Sequence, residues 1–294
     1  MERSYSRLDI QQFGAILLQS RDLDPVYVAL YNMMTNETLT QEQLQRWLLA
    51  YMLCYHVGAA CWLSEFEGNE FWNWVMVAAK NEEPSPIGGR WPRSHERRHW
   101  RGQQAIDVVT ALKGRYTHPE EFVHYLVGAT ETRPVLSFPE FTAKVKEHRG
   151  FGDWAAFKLA DLVDRLALVK VDFSYEDVTI YRDPVIAAEM LVRRQLGLPA
   201  EAKVKPSAVR GVFDSLIEHF DSYTAPPLFD RAVSVQEIET ILCKWKSHQN
   251  GRYPIFNDIR EILEGLMPWQ VNCQTAWHFA AAMPPLLVKE SADG

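Results

Sequence analysis

The chain of 294 residues is short of several things. It has four cysteines, Cys54, Cys61, Cys243 and Cys273, and no CxxC pair. That excludes a zinc finger, and a chain long enough to build its own core needs no disulfide framework. Reduced thiols in a cytoplasmic protein are the expectation. No GxxxxGK[ST] phosphate loop occurs, so ATP binding of that kind is excluded. The opening MERSYSRLDIQQFG shows no basic-then-apolar signal pattern. Only Trp47–Ser64 runs long without formal charge, and it carries Tyr51, Tyr55 and His56. It reads as a buried core helix, not a membrane span. Net positive charge is missing too: the formal charge is −7, which excludes a basic nucleic-acid coat protein.

What is present is helical periodicity. Leu44, Trp47, Leu48, Tyr51 and Cys54 repeat at three-to-four-residue spacing after the cap-like Thr40. Asn69-Glu70 opens a second amphipathic run through Phe71, Trp74, Val75 and Ala78. Further helices are expected near 102–113, 118–127, 139–148, 153–168, 184–196, 206–220, 234–248 and 256–265. Alternation is scarce, and Leu168–Phe173 is the one extended candidate. The Gly/Pro-rich stretch Glu83–Pro92 predicts a loop, and Pro226-Pro227 marks a second break. The expected fold is an all-α bundle of about a dozen helices. It is read as one compact unit over 1–294, with halves at 1–130 and 135–294.

Charge is concentrated in GGRWPRSHERRHWRG. Arg90, Arg93, Arg97, Arg98 and Arg101 face a single acid, Glu96, so residues 90–101 carry a formal +4. The remainder of the −7 chain therefore carries −11. Guanidinium forks donate paired hydrogen bonds to phosphate, so the cluster predicts an anionic ligand. Trp91 and Trp100 are placed to stack on a base or to cover the site. Were Arg93–Arg101 helical, Arg93, Arg97 and Arg101 would share one face, with Glu96 orienting His99.

A second signal is Arg149-Gly150-Phe151-Gly152-Asp153-Trp154, where an apolar helix end meets a new helix capped by Asp153 or its neighbour. Glycines permit a tight turn whose amides, at a helix start, can grip a DNA phosphate. Lys158 lies one turn further on, and Asp172 ends the short apolar segment Val169–Asp172. This stretch resembles the helix-hairpin-helix DNA glycosylases, in which a similarly spaced Asp is catalytic. Trp154 stands where some members carry a catalytic Lys, so the resemblance implies an Asp-only site.

Both segments together resemble the phage amino acid:DNA transferases, first described as α-glutamyl/putrescinyl thymine pyrophosphorylases. The residues carrying the resemblance are RDLDPVY (Arg21–Tyr27), LAYMLCYHVG (Leu49–Gly58), WPRSHERRHWRG (Trp91–Gly102) and RGFGDWAAFK (Arg149–Lys158). It implies that double-stranded DNA bearing an activated 5-hydroxymethyluracil is the substrate. A separate base kinase would supply the 5-pyrophosphorylated base, and an amine, glycine first, would displace pyrophosphate. Arginines would steady the departing charge. His95 or His99 would protonate it, and Asp172 would take the donor's proton. The target base would leave the stack, as in glycosylases. No metal or organic cofactor is implied.

Arg21, Asp22, Tyr27, Tyr55, His56 and Asn81 are secondary candidates for substrate contact. Asp24 before Pro25 reads as a helix cap. Glu176 and Asp177 read as substrate-binding or as the next cap. A base-excision glycosylase and a non-catalytic DNA-binding module are the competing readings.

Overall fold

The computed structural model describes residues 7–97, 100–128, 135–179 and 181–286. Among them, helices dominate and a single two-stranded sheet occurs. In chain order they are α1 Ile10–Ser20, α2 Pro25–Thr35, α3 Gln41–Cys54, α4 Val57–Ser64, α5 Gly68–Lys80, α6 Gly102–Arg115 and α7 Glu120–Val127. Strand β1 (Val135–Ser137), α8 (Phe138–Lys146), α9 (Asp153–Arg165) and β2 (Lys170–Asp172) follow. The chain then forms α10 Tyr175–Val178, α11 Arg182–Gln195, α12 Pro206–His219, α13 Val235–Gln249, α14 Asn257–Leu266 and α15 Gln274–Ala282. No described helix is long and apolar enough to cross a membrane.

Most expected helices form within a few residues of their predicted bounds. Local chemistry explains their starts. Thr40 accepts from the Gln43 amide at 3.1 Å, and Ser137 and Ser174 each form a capping box with Glu140 and Asp177. Asp177 is thus a cap. Helices α1 and α15 and strand β1 went unpredicted. Strand β1 pairs in parallel with β2, Ser137 opposite Asp172, so it forms only because that distant partner exists.

One expectation is corrected. Trp47–Ser64 is not a single helix. Tyr55 takes a left-handed conformation, φ 49°, and ends α3. His56 then turns extended and caps α4 through its ring. Hydropathy could not register this break, because both flanking segments are apolar and buried.

The chain divides into two units. One gathers the chain up to Pro25, Phe173–Arg260 and the segment from Pro284. Its α13 packs against α1, α11 and α12 around Trp245, Phe13, Phe213 and Phe220. Beneath α1, Asp22 is fully buried. It accepts from the Ile259 amide at 3.0 Å and the Tyr253 hydroxyl at 3.3 Å. Lys244 donates to the Asp22 and Leu23 carbonyls and pairs with Asp258 at 2.6 Å.

The second unit comprises Val26–Asp172 and Glu261–Met283. Helix α3 is its spine, buried from Leu44 through Cys54. Trp47 stacks on Tyr51 at 4.6 Å and on Phe279 at 5.7 Å. The arginine cluster and the Gly-x-Gly turn both belong to this unit.

Candidate active site

Helix α3 ends with carbonyls that have no partner inside the helix. The chain after α5 supplies them. Ser94 donates its amide to the Cys54 carbonyl at 3.1 Å, and Arg97 donates its Nε–H to the Leu53 carbonyl at 3.3 Å. A cation at a helix C-terminus also complements the helix dipole. Arg97 continues to the Gly150 carbonyl at 3.4 Å, with its guanidinium 5.9 Å from both the Trp100 and Phe151 rings. One side chain thus ties the arginine segment, the end of α3 and the glycine turn together. Burial pulls the Arg97 pKa down.

The loop into this segment is closed by its own bonds. Asn81 ends α5 in a left-handed conformation, and its side-chain carbonyl accepts from the Trp91 amide at 2.8 Å. Ser85 closes a tight turn over Gly88 and Gly89. Trp91 and Trp100 are buried anchors, 2% and 5% exposed, and present no stacking face at the surface.

Arg93–Arg101 does not form the helix whose shared face was considered. Among the described residues of this segment the helical element is one 3-10 turn, His95–Arg97, and the rest bridges the end of α3 to the start of α6. The arginines are brought together by the loop's path instead. Arg101 donates to the Trp91 carbonyl at 3.0 Å. Burial, then the charges of Arg93 and Arg90, push its pKa down. Arg93 leaves its Nε–H buried without an acceptor. Among the described residues no carboxylate lies within ion-pair distance of Arg90, Arg93, Arg97 or Arg101. His95 is exposed. Arg98, His99 and the side chain of Glu96 lie outside the described residues.

The glycine turn joins α8 to α9. Gly150 has φ +81°, and a Cβ there would sit 2.5 Å from Val108 Cγ2, so two separate demands require glycine. Arg149 pairs with Asp107 at 2.6 Å, and His148 is buried against Tyr116. The cap of α9 is Gly152, the neighbour of Asp153, and the cap residue itself brings no side chain. Asp153 pairs with Lys146. Trp154 meets the Tyr55 ring edge-on at 4.7 Å, and the Lys158 ammonium lies 5.7 Å from the Phe157 ring. Asp172 is exposed at the end of β2, and no described hydrogen bond or ion pair joins it to the arginines.

The remaining candidates have structural partners. Tyr27 is buried and donates to Asp161 at 2.6 Å. In the other unit, Arg21 is the left-handed C-cap of α1, its guanidinium 5.0 Å from the Phe229 ring. Asp22 sits in the buried cluster with Lys244. Burial pushes its pKa from 3.8 up to about 6 against the Lys244 charge. His56 accepts the Ala59 amide on Nδ1 at 3.2 Å, and burial lowers its pKa to about 4.

Sequence reasoning missed Trp62, Trp74 and Trp269. Together with Trp91 they close a ring, with successive centroids 6.1, 6.4, 6.2 and 6.4 Å apart. Its members come from α4, α5, the loop and the segment after α14, so no local pattern links them.

A family model described as amino acid:DNA transferase matches residues 18–252. The chain is similar to a glycinyltransferase of Pseudomonas phage PaMx11, 47% identical, over 97% of this chain and 99% of that one. It is also similar to a putrescinyltransferase of Delftia phage PhiW-14, 26% identical, over 92% of this chain and 81% of the other.

Proposed function

Since the chain belongs to the amino acid:DNA transferase family, we propose that it joins glycine to 5-pyrophosphoryloxymethyluracil in phage DNA. Pyrophosphate is released, and a base kinase in the infected host's cytoplasm acts beforehand. The glycine choice is supported by the 47% identical relative, which is named a glycinyltransferase. The observation that carries the pyrophosphate reading is the trio Arg90, Arg93 and Arg101. The charges of Arg93 and Arg90 bear on Arg101, and none of the three has a carboxylate partner among the described residues. Like charges gathered this way cost free energy, and a polyanion relieves it.

In this reading the bond between the base's methylene carbon and the pyrophosphate oxygen breaks, and the oxygen keeps the electron pair. Arg90, Arg93 and Arg101 stabilise the charge that accumulates there. His95, His99 or a water delivers a proton to the departing oxygen, and Glu96 and Arg98 complete that segment. The donor nitrogen forms the new C–N bond, and Asp172 takes its surplus proton. The glycine-capped start of α9, with Gly150 and Gly152, offers amides to a DNA phosphate. Arg97 acts by positioning, because its bonds are spent on the Leu53 and Gly150 carbonyls.

The test is to incubate the protein with DNA carrying the pyrophosphorylated base and glycine, digest it and weigh the nucleosides. A glycine adduct with free pyrophosphate is expected. Absence of any amine adduct overturns the reading. Abasic sites would point to a glycosylase. Full biological effect in Asp172→Ala would point to a binding module.

A further inference from the structure

Most of the tryptophan ring's polar atoms are left unused. The indole N–H groups of Trp62, Trp91 and Trp269 are all buried with no acceptor. Trp91 and Trp269 are 2% and 1% exposed, so their N–H groups face the interior and not bulk solvent. A buried donor without a partner is costly, and several in one cluster call for an explanation. Arg93, two residues beyond Trp91, adds a buried, unpartnered Nε–H.

His56 belongs to the same cluster, its ring 6.3 Å from Trp269. Its Nδ1 accepts the Ala59 amide, so the neutral ring must carry its proton on Nε2. Among the described residues no acceptor bonds that N–H. Towards α14 it faces Gly265, which brings no side chain; a Cβ there would be 3.8 Å away. The nearby Glu65 is engaged elsewhere, accepting from the Thr275 amide at 2.8 Å and the Cys273 thiol at 3.3 Å. The cluster therefore offers N–H groups that no acceptor among the described residues takes up.

We propose that His56 Nε2–H and the indole N–H groups of Trp62, Trp91 and Trp269 form the binding site for the carboxylate of the donor amino acid. This rests on the transferase reading above. An acceptor-only ligand fits a donor-only site. A uracil edge does not, because its N3–H between two carbonyls would find no acceptor. A pyrophosphate is better matched by the arginine trio, whose full charges answer its own. A carboxylate is small and flat, and its two oxygens accept several hydrogen bonds at once. The site makes this chain choose amines that carry a carboxylate.

Calorimetric titration of the protein with glycine, acetate and methylamine tests this without DNA. Glycine is expected to bind, acetate to compete with it and methylamine not to. His56→Asn keeps an acceptor for the Ala59 amide, since Asn is a strong helix cap, but deletes the Nε2 donor. It is expected to weaken glycine binding about tenfold, the effect of one hydrogen bond to a charged group. Trp62→Phe, at a half-buried position, is a second variant with the same expected direction. In turnover, the glycine KM should rise in both variants and the modified-DNA KM should not. Methylamine competing as well as acetate overturns the proposal, as does unaltered glycine binding in both variants. If glycine binds as expected but no base is modified, the carboxylate site stands and the pyrophosphate-displacement reading falls.

Discussion

Gly58→Ala probes the support beneath the tryptophan ring. Gly58 lies in the first turn of α4, and a Cβ there would stand 2.2 Å from Trp269 Cδ1, 2.4 Å from Nε1 and 2.8 Å from Cγ. All three atoms belong to one rigid indole that is 1% exposed. The rings of His56, Trp62 and Trp91 surround it at 6.2–6.4 Å. The indole cannot yield without moving the ring. Helix propensity favours alanine by up to about 1 kcal/mol, whereas overpacking a filled core costs about 1–3 kcal/mol or more. The clash should win, leaving a net loss of about 1–2 kcal/mol by these estimates. Gly211→Ala in α12 is the control, because a Cβ there meets nothing within 4 Å. It should gain about 0.5–1 kcal/mol. Urea melts of both variants and the parent give the signs. If Gly58→Ala matches or exceeds the parent in stability, the tight packing of Trp269 on α4 is refuted. Displacing Trp269 should also raise the glycine KM.

Arg90→Ala should reduce transfer at least tenfold with an unchanged melting temperature, because Arg90 is exposed and bonds to nothing described; equal losses of both would assign it a structural role. Arg97→Ala should instead lose about 1–3 kcal/mol, since it leaves the Leu53 and Gly150 carbonyls short of a donor. Faster amide exchange around the glycine turn would report it. Gly150→Ala should weaken DNA binding and destabilise together, because φ is +81° and Val108 fills the Cβ position; tight DNA binding by this variant would count against the turn as a phosphate grip. Asp22 binds its proton more tightly folded than unfolded, its pKa rising from 3.8 to about 6. Its contribution to stability therefore falls as pH rises from about 4 to about 6, by about 2–3 kcal/mol at about 1.4 kcal/mol per unit. Asp22→Asn should remove that slope in urea melts at pH 4.5 and 7; an identical slope in both proteins would refute it.

The all-α class and most helix positions were legible because amphipathic periodicity and caps are local. Thr40, Ser137 and Ser174 work as caps within their own turns. The Gly150 turn was legible for the same reason, since few residues other than glycine hold φ near +81° cheaply. The arginine cluster was visible as composition, but composition could not divide its labour. Arg97 and Arg90 look alike as letters.

The sequence by itself determined most of the helical segments, the glycine turn at Gly150 and where positive charge collects, because propensity, capping and charge act over a few neighbouring residues. Only the tertiary structure decided that Arg97 is spent on the Leu53 and Gly150 carbonyls while Arg90 stays exposed. It alone closed Trp62, Trp74, Trp91 and Trp269 into one ring beside His56. Desolvation and the pairing of buried donors depend on what arrives from distant parts of the chain, and packing, not periodicity, brings those parts together.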